Sequence, residues 1–221
     1  MIRVVAAMTV LASMAIAADP LVQGTEPGNV LPGPFSAYVV FGGTKPEPKE
    51  AVKETTQTEE RQNQGDLTRI FKHHDLVTRY GLDPTVAVFT RDAAPGDDSA
   101  LGKLIKQLDD NVQKYQSRRL HAFAVFLRLK DDFLKDDDRI PQTRSIEQFA
   151  AKSAIKLTPL ALDLAESDRT KKWNIGADDQ VVVIVYQNLK VTAKFIFTTE
   201  KPLDDAGIQA IMAEVQKMVK K

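Results

Sequence analysis

The chain has 221 residues, balances 30 Lys and Arg against 30 Asp and Glu, and contains no cysteine. The balance removes the basic footprint that nucleic-acid binding needs, leaving Arg118-Arg119 and Lys171-Lys172 as isolated surface pairs. The lack of cysteine closes disulfide stabilisation and every mechanism that would use a thiol of the chain itself.

Met1-Ile2-Arg3 opens an apolar run over residues 4–17 that ends in Ala15-Ile16-Ala17. One basic residue, a short hydrophobic stretch and an A-x-A site are the three parts of a secretory signal peptide, assigned here to residues 1–17. No cysteine follows the cleavage site to carry a lipid, and no later apolar run approaches the ~18 residues a bilayer requires. The expected product is exported, periplasmic or extracellular, has no transmembrane anchor, and at about 200 residues is long enough for one full core.

Residues 18–34 are rich in Pro and Gly and are expected to be a flexible N-terminal segment. Residues 35–41, with Tyr38, Val39, Val40 and Phe41, predict a strand that stops at Gly42-Gly43. Residues 44–66 hold almost no large apolar side chain, so burial there cannot offset ordering entropy, and a disordered insertion is expected. A poorly defined connecting segment, 67–83, completes this N-terminal part, residues 35–83.

From residue 84 to 221 the pattern becomes regularly α/β. Residues 84–90 form a near-continuous apolar strand. Asp97, Asp98 or Ser99 caps the next helix, whose Leu101, Leu104, Ile105, Leu108, Val112 and Tyr115 share one face. A strand over 120–129, a helix over 144–155, a strand over 159–164 and a helical turn over 168–173 follow. Strands over 180–186 and 190–198 are joined at Asn188-Leu189, a spacing that permits a hairpin. A last helix from about residue 204 carries Ile208, Ile211, Met212, Val215, Met218 and Val219 on one stripe. Helical crossovers require parallel strands and a hairpin requires antiparallel ones, so a mixed sheet covered by helices on both faces is predicted.

This order of elements, with Thr158-Pro159 at the third core strand, Trp173, Ile175 and Gly176 ahead of the hairpin, and the closing helix, resembles the thioredoxin-like fold. The nearest branch is that of exported thiol oxidoreductases and peroxiredoxin-like proteins. The resemblance covers residues 84–221 and implies a three-layer sandwich with a mixed sheet. It also implies a redox site whose two parts are missing here. Where the family places its cysteines, at a helix N-terminus that lowers a thiol's pKa, the chain has Asp92-Ala93-Ala94-Pro95-Gly96-Asp97. Where the family has a cis-proline before the hairpin, the chain has Asp178-Asp179-Gln180. A second resemblance is to a group of uncharacterised exported bacterial proteins that open on Gly-Pro-Phe and carry Cys-x-x-Cys before Tyr-Gly or Phe-Gly. Gly33-Pro34-Phe35 and Tyr80-Gly81 match, while Asp75 and Thr78 stand at the cysteine places.

Other chemistry is sparse. His73-His74-Asp75 lacks a second ligand pair at metal-binding spacing and predicts a surface loop. His121 is expected at a strand edge. The acidic run over residues 131–138, with Asp131, Asp132, Asp136, Asp137 and Asp138, lacks the glycine and terminal glutamate of a calcium loop and is expected as a solvated loop. No nucleophile elbow and no phosphate-binding glycine loop is present. Phe123, Phe126, Phe195 and Phe197 have core spacing, and no cofactor is expected.

The expectation is therefore a non-catalytic, exported thioredoxin-like domain without thiol redox activity that binds a protein partner. Asp92, Asp97, Asp178, Asp179 and Gln180 are its expected contact region. The alternative is an aspartate-based calcium-binding module or a carboxylate-dependent enzyme built on the acidic loops.

Overall fold

The computed structural model describes residues 24–43, 71–96, 98–130 and 136–220. The expected signal peptide, the expected disordered insertion, and Asp97, Asp131 and Asp132 lie outside these residues. The strands are β1 (Ser36–Phe41), β2 (Lys72–Asp75), β3 (Thr85–Thr90), β4 (His121–Leu129), β5 (Leu160–Leu164), β6 (Asp179–Gln187) and β7 (Lys190–Thr198). The helices are α1 (Leu76–Tyr80), α2 (Ala100–Lys114), α3 (Asp136–Lys152), α4 (Asp168–Lys172) and α5 (Asp205–Val219).

These strands form one seven-stranded sheet in the order β2-β1-β5-β4-β3-β6-β7. β3, β4 and β5 run parallel, because helices α2 and α3 carry the chain back between them. β6 lies antiparallel to β3, and β7 antiparallel to β6. Asn188 and Leu189 join that hairpin with φ of 54° and 59°, the left-handed pair that matches the twist of two strands joined by a two-residue turn. β1 adds antiparallel to β5, and β2 antiparallel to β1. The connecting segment before residue 83 thus supplies an edge strand and a short helix that its polar sequence does not announce.

Both faces of the central strands are buried, so β3 reads as a continuous apolar run rather than an alternation. Val86 and Val88 point into a core made with Leu104, Ile105 and Leu108 of α2, Phe149 of α3, and Ile211 and Val215 of α5. Ala87 and Phe89 point to the opposite face, where Leu31, Phe35, Leu76, Val77, Trp173 and Ile175 cover them. Long amphipathic helices cover the first face. The second is closed by two five-residue helices, α1 and α4, together with the chain over residues 24–35. In that chain Thr25 donates its hydroxyl to the Trp173 carbonyl at 3.0 Å, and Val30 pairs with Lys190 as an isolated antiparallel bridge.

Helix α2 starts on Ser99, whose hydroxyl accepts from the Gly102 N–H at 3.0 Å, so among the three expected caps the serine takes the role. Helix α3 runs over residues 136–152 rather than 144–155. Pro141 lies inside it, and a proline that removes one N–H and crowds the preceding turn is what shifts the expected start downstream. Asp136 and Asp138 are consequently helical and not part of a loop. The His73-His74-Asp75 stretch, expected as a surface loop, is most of β2.

Candidate functional site

The C-terminal ends of β3, β4 and β5 and the start of β6 converge at one end of the sheet. The loop after β3 meets the turn before β6 there: the Arg91 backbone N–H donates to the Gln180 carbonyl at 2.9 Å. Arg91 then uses its side chain as a brace. Its Nη1 donates to the Ala165 carbonyl at 2.6 Å, just past β5, and its Nη2 and Nε donate to the Gly176 carbonyl at 2.9 and 3.3 Å. Arg128 of β4 reaches across to donate to the Arg91 carbonyl at 2.9 Å. The Arg91 guanidinium, with donors in a fixed fork, thereby ties its own loop to two other chain segments by their backbone oxygens.

The expected contact residues divide around this brace. Asp92 is exposed beside Arg91, and its N–H donates to the Thr90 hydroxyl at 3.0 Å. Partial desolvation holds its carboxyl above the ordinary carboxylate range, against the opposing pull of Arg128. Asp178 is exposed. Asp179 turns back on its own loop, where its Oδ2 accepts from the Gly176 N–H at 2.7 Å. Gln180 contributes its backbone carbonyl to Arg91. The two loops are therefore adjacent, as the fold resemblance requires, while Asp179 is committed to closing a turn instead of pairing with Asp92. Asp97 lies outside the described residues. Arg91 and Arg128 are absent from the expected set. The available sign was an arginine immediately after an all-apolar strand, at the point where sheet ends expose carbonyls.

Asp75 and Thr78 stand together at the start of α1. Asp75 Oδ1 accepts from the Val77 and Phe35 N–H groups, each at 3.0 Å, and its Oδ2 accepts from the Thr78 hydroxyl. The pair forms a polar N-cap, satisfying helix donors that would otherwise be orphaned.

Asp163 is fully buried and is paired by Arg169 of α4, at 2.8 Å from Nη2 and 3.2 Å from Nε. His73 lies within the field of this pair, and burial holds its imidazole below the ordinary range. Among the described residues no group of three His, Asp or Glu is placed to hold a metal ion. No helix among them is long and apolar enough to cross a membrane.

No family model matches the chain. No curated protein matches it either. Solved structures do. Mycobacterium bovis AhpC aligns with a TM-score of 0.53 over 90% of this chain and 93% of its own, at 12% identity. The reduced 2-Cys peroxiredoxin of Plasmodium vivax aligns with a TM-score of 0.52 over 89% and 84%, at 16% identity. A putative protein disulfide isomerase from Bacteroides thetaiotaomicron aligns with a TM-score of 0.50 over 89% and 92%, at 9% identity. The fold is thioredoxin-like. At these identities the likeness concerns the fold alone. The thioredoxin-like scaffold here carries no cysteine, and among its described residues no peptide bond is cis.

Proposed function

We propose that this chain is an exported, redox-inactive thioredoxin-like domain that binds a protein partner through the sheet end at Arg91, Asp92, Asp178 and Gln180. The observation that carries the reading is Arg91. At the sheet end where the fold resemblance puts thiol chemistry, the chain has no thiol and has instead a guanidinium bonded to the carbonyls of Ala165 and Gly176. Those bonds hold the two loops in one arrangement and leave Asp92 and Asp178 exposed. A preorganised surface loses little entropy when a partner docks. Outward carboxylates favour a partner segment that carries Lys or Arg.

The test uses the chain from residue 18 onward, with a photo-crosslinking residue at position 178 or, as a control, at exposed position 213 on α5, expressed in its own host. A discrete crosslinked protein at 178 that is absent at 213 and is lost in the Asp92→Lys variant supports the reading. Equal labelling at both positions counts against it. Turnover of disulfides or peroxides by the purified chain would defeat it outright.

A further inference from the structure

We propose that Asp83, His121, Arg119 and Tyr80 form an acid-sensitive clasp at the N-terminal end of the parallel strands, whose release loosens the α1–β3 junction and the β6–β7 turn beside it. The cluster stands apart from the surface around Arg91, at the other end of β3 and β4. His121 opens β4, and its backbone N–H donates to the Pro84 carbonyl at 2.9 Å, which fixes the ring's position. Its Nε2 lies 3.3 Å from Asp83 Oδ2, and Arg119 Nη2 lies 2.9 Å from the same oxygen. The Tyr80 ring stacks on the imidazole with centroids 4.3 Å apart and planes 16° from parallel. Arg79 places its guanidinium carbon 5.5 Å from the Tyr80 ring centre.

The charges around the imidazole are therefore one carboxylate and two guanidiniums. Asp83 comes from the junction, Arg119 from the turn before β4, and Arg79 from α1. Two phenols are also near: Tyr80 on α1, and Tyr186 of β6, which pairs with Thr85 on the far side of β3. Burial pushes the Tyr186 phenol far above its ordinary range, so it stays neutral. A proton added to His121 creates a charge in a partly buried ring, beside a single carboxylate oxygen already engaged by Arg119. The cost of desolvating that charge exceeds what Asp83 returns, so the protonated ring favours an arrangement in which water reaches it. Burial, joined by Arg119 and Arg79, outweighs Asp83 and holds the imidazole below its ordinary range, in keeping with this balance.

The released part is the lightly packed junction. Gly81 has φ of 57° with open space where a Cβ would stand, and Leu82 is 61% exposed. The Leu82 carbonyl accepts from the Asn188 N–H at 3.0 Å, and the neighbouring Leu189 carbonyl accepts from the Leu31 N–H at 2.8 Å. A displaced Asp83 thus disturbs a hydrogen-bonded line from His121 to the hairpin turn and on to the N-terminal segment.

The experiment is amide hydrogen exchange on the chain from residue 18, at about pH 7.5 and about pH 5, corrected for the intrinsic exchange rate. The expected result is that protection of residues 81–83 and 188–189 falls roughly five- to tenfold more on acidification than protection of β3 and β4. The difference should vanish in His121→Gln and shrink in Arg119→Gln, which removes one of the competing cations. Unchanged protection in the wild type, or an acid effect that persists in His121→Gln, overturns the clasp. If His121→Gln does not fold, NMR titration of the wild-type ring decides. A midpoint below the ordinary imidazole range, followed by the Tyr80 ring resonances, supports the clasp. A midpoint at or above that range overturns it.

Discussion

The two ends of the parallel strands spend their charged groups in opposite ways. At the N-terminal end carboxylates point inward. Asp109 of α2 is 3% exposed and accepts from the backbone N–H groups of Lys156, Leu157 and Thr158 at 3.0, 2.7 and 2.8 Å, fixing the entry to β5. Asp83 gathers Arg119 and His121. At the C-terminal end a cation points inward and the carboxylates outward: Arg91 binds carbonyls, while Asp92 and Asp178 face solvent. The difference teaches where each end's selection of residues acts. Inward anions satisfy backbone donors and serve the fold, whereas an inward cation satisfies backbone acceptors and the Asp92 and Asp178 carboxylates stay exposed to solvent.

The largest expected effect tests the inward anion. Asp109→Ala leaves three amide donors in a largely buried loop without their acceptor, and each such group costs about 1–3 kcal/mol. A loss of about 3–5 kcal/mol is expected in urea unfolding, at the upper end for a single substitution. Gly43 makes the same loop intolerant from the other side. It has φ of 67°, and a Cβ there would stand 2.5 Å from the Leu157 carbonyl oxygen. Gly43→Ala is therefore expected to destabilise although it adds one methyl group. A loss below about 1 kcal/mol for Asp109→Ala would mean that water replaces the carboxylate, and the contrast between the ends would weaken.

Asp163 sharpens the comparison because it is a buried anion near the C-terminal end. It is matched by Arg169, so Arg169→Met should strand its charge and cost about 3 kcal/mol, the usual penalty for removing one partner of a buried pair. Replacing both, Asp163→Leu with Arg169→Met, should recover much of that loss. A double variant no more stable than the single one would show that the pair contributes shape beyond its charge balance.

Arg91 is expected to matter less for stability than for order. Arg91→Ala removes bonds to exposed or half-exposed carbonyls that water can take over, so about 1–2 kcal/mol is expected. Exchange protection in the residues around 165 and 176 should fall more than the global stability does. Arg91→Lys should fail to restore it, because an ammonium cannot span two carbonyls with a planar fork. Full rescue by lysine would reduce the brace to a simple positive charge.

Much of this architecture is legible in the chain itself. The β-α-β-α-β order shows because buried parallel strands such as residues 85–90 are continuously apolar, and because α2 and α5 carry apolar residues at helical spacing. The hairpin shows through the short link at Asn188-Leu189. Other parts do not show, for physical reasons. Lys72–Asp75 is a polar edge strand held by backbone pairing with β1, so no periodicity marks it. Pro141 hides the first turns of α3. The candidate surface was placed by its loops, and its carboxylates were visible as residue types. Arg91 was not, since a side chain that bonds main-chain oxygens from distant segments leaves no local pattern. The bond that Asp179 accepts from the Gly176 N–H was hidden for a related reason: whether a loop aspartate closes its own turn depends on backbone geometry.

The smallest expected effect concerns acid. Burial holds the imidazoles of His121 and His73 below the ordinary range in the folded chain. The unfolded chain therefore binds more protons than the folded one wherever pH lies between the two values. Stability contributed by the neutral imidazoles is full above the unfolded pKa of about 6.5 and falls as pH drops through the interval toward the folded values, below which the loss stops growing. His121→Phe keeps a ring against Tyr80 and removes the titration, so the dependence of unfolding free energy on pH below 6.5 should flatten in part. His73→Phe should remove a further share, and the two should add, because His121 on β4 meets Asp83 while His73 belongs to edge strand β2, with β1 and β5 lying between the two strands in the sheet. If His121→Phe leaves the slope intact while His73→Phe abolishes it, the acid response belongs to the field of Asp163 and Arg169, and the N-terminal end of the strands keeps its inward anions for stability alone.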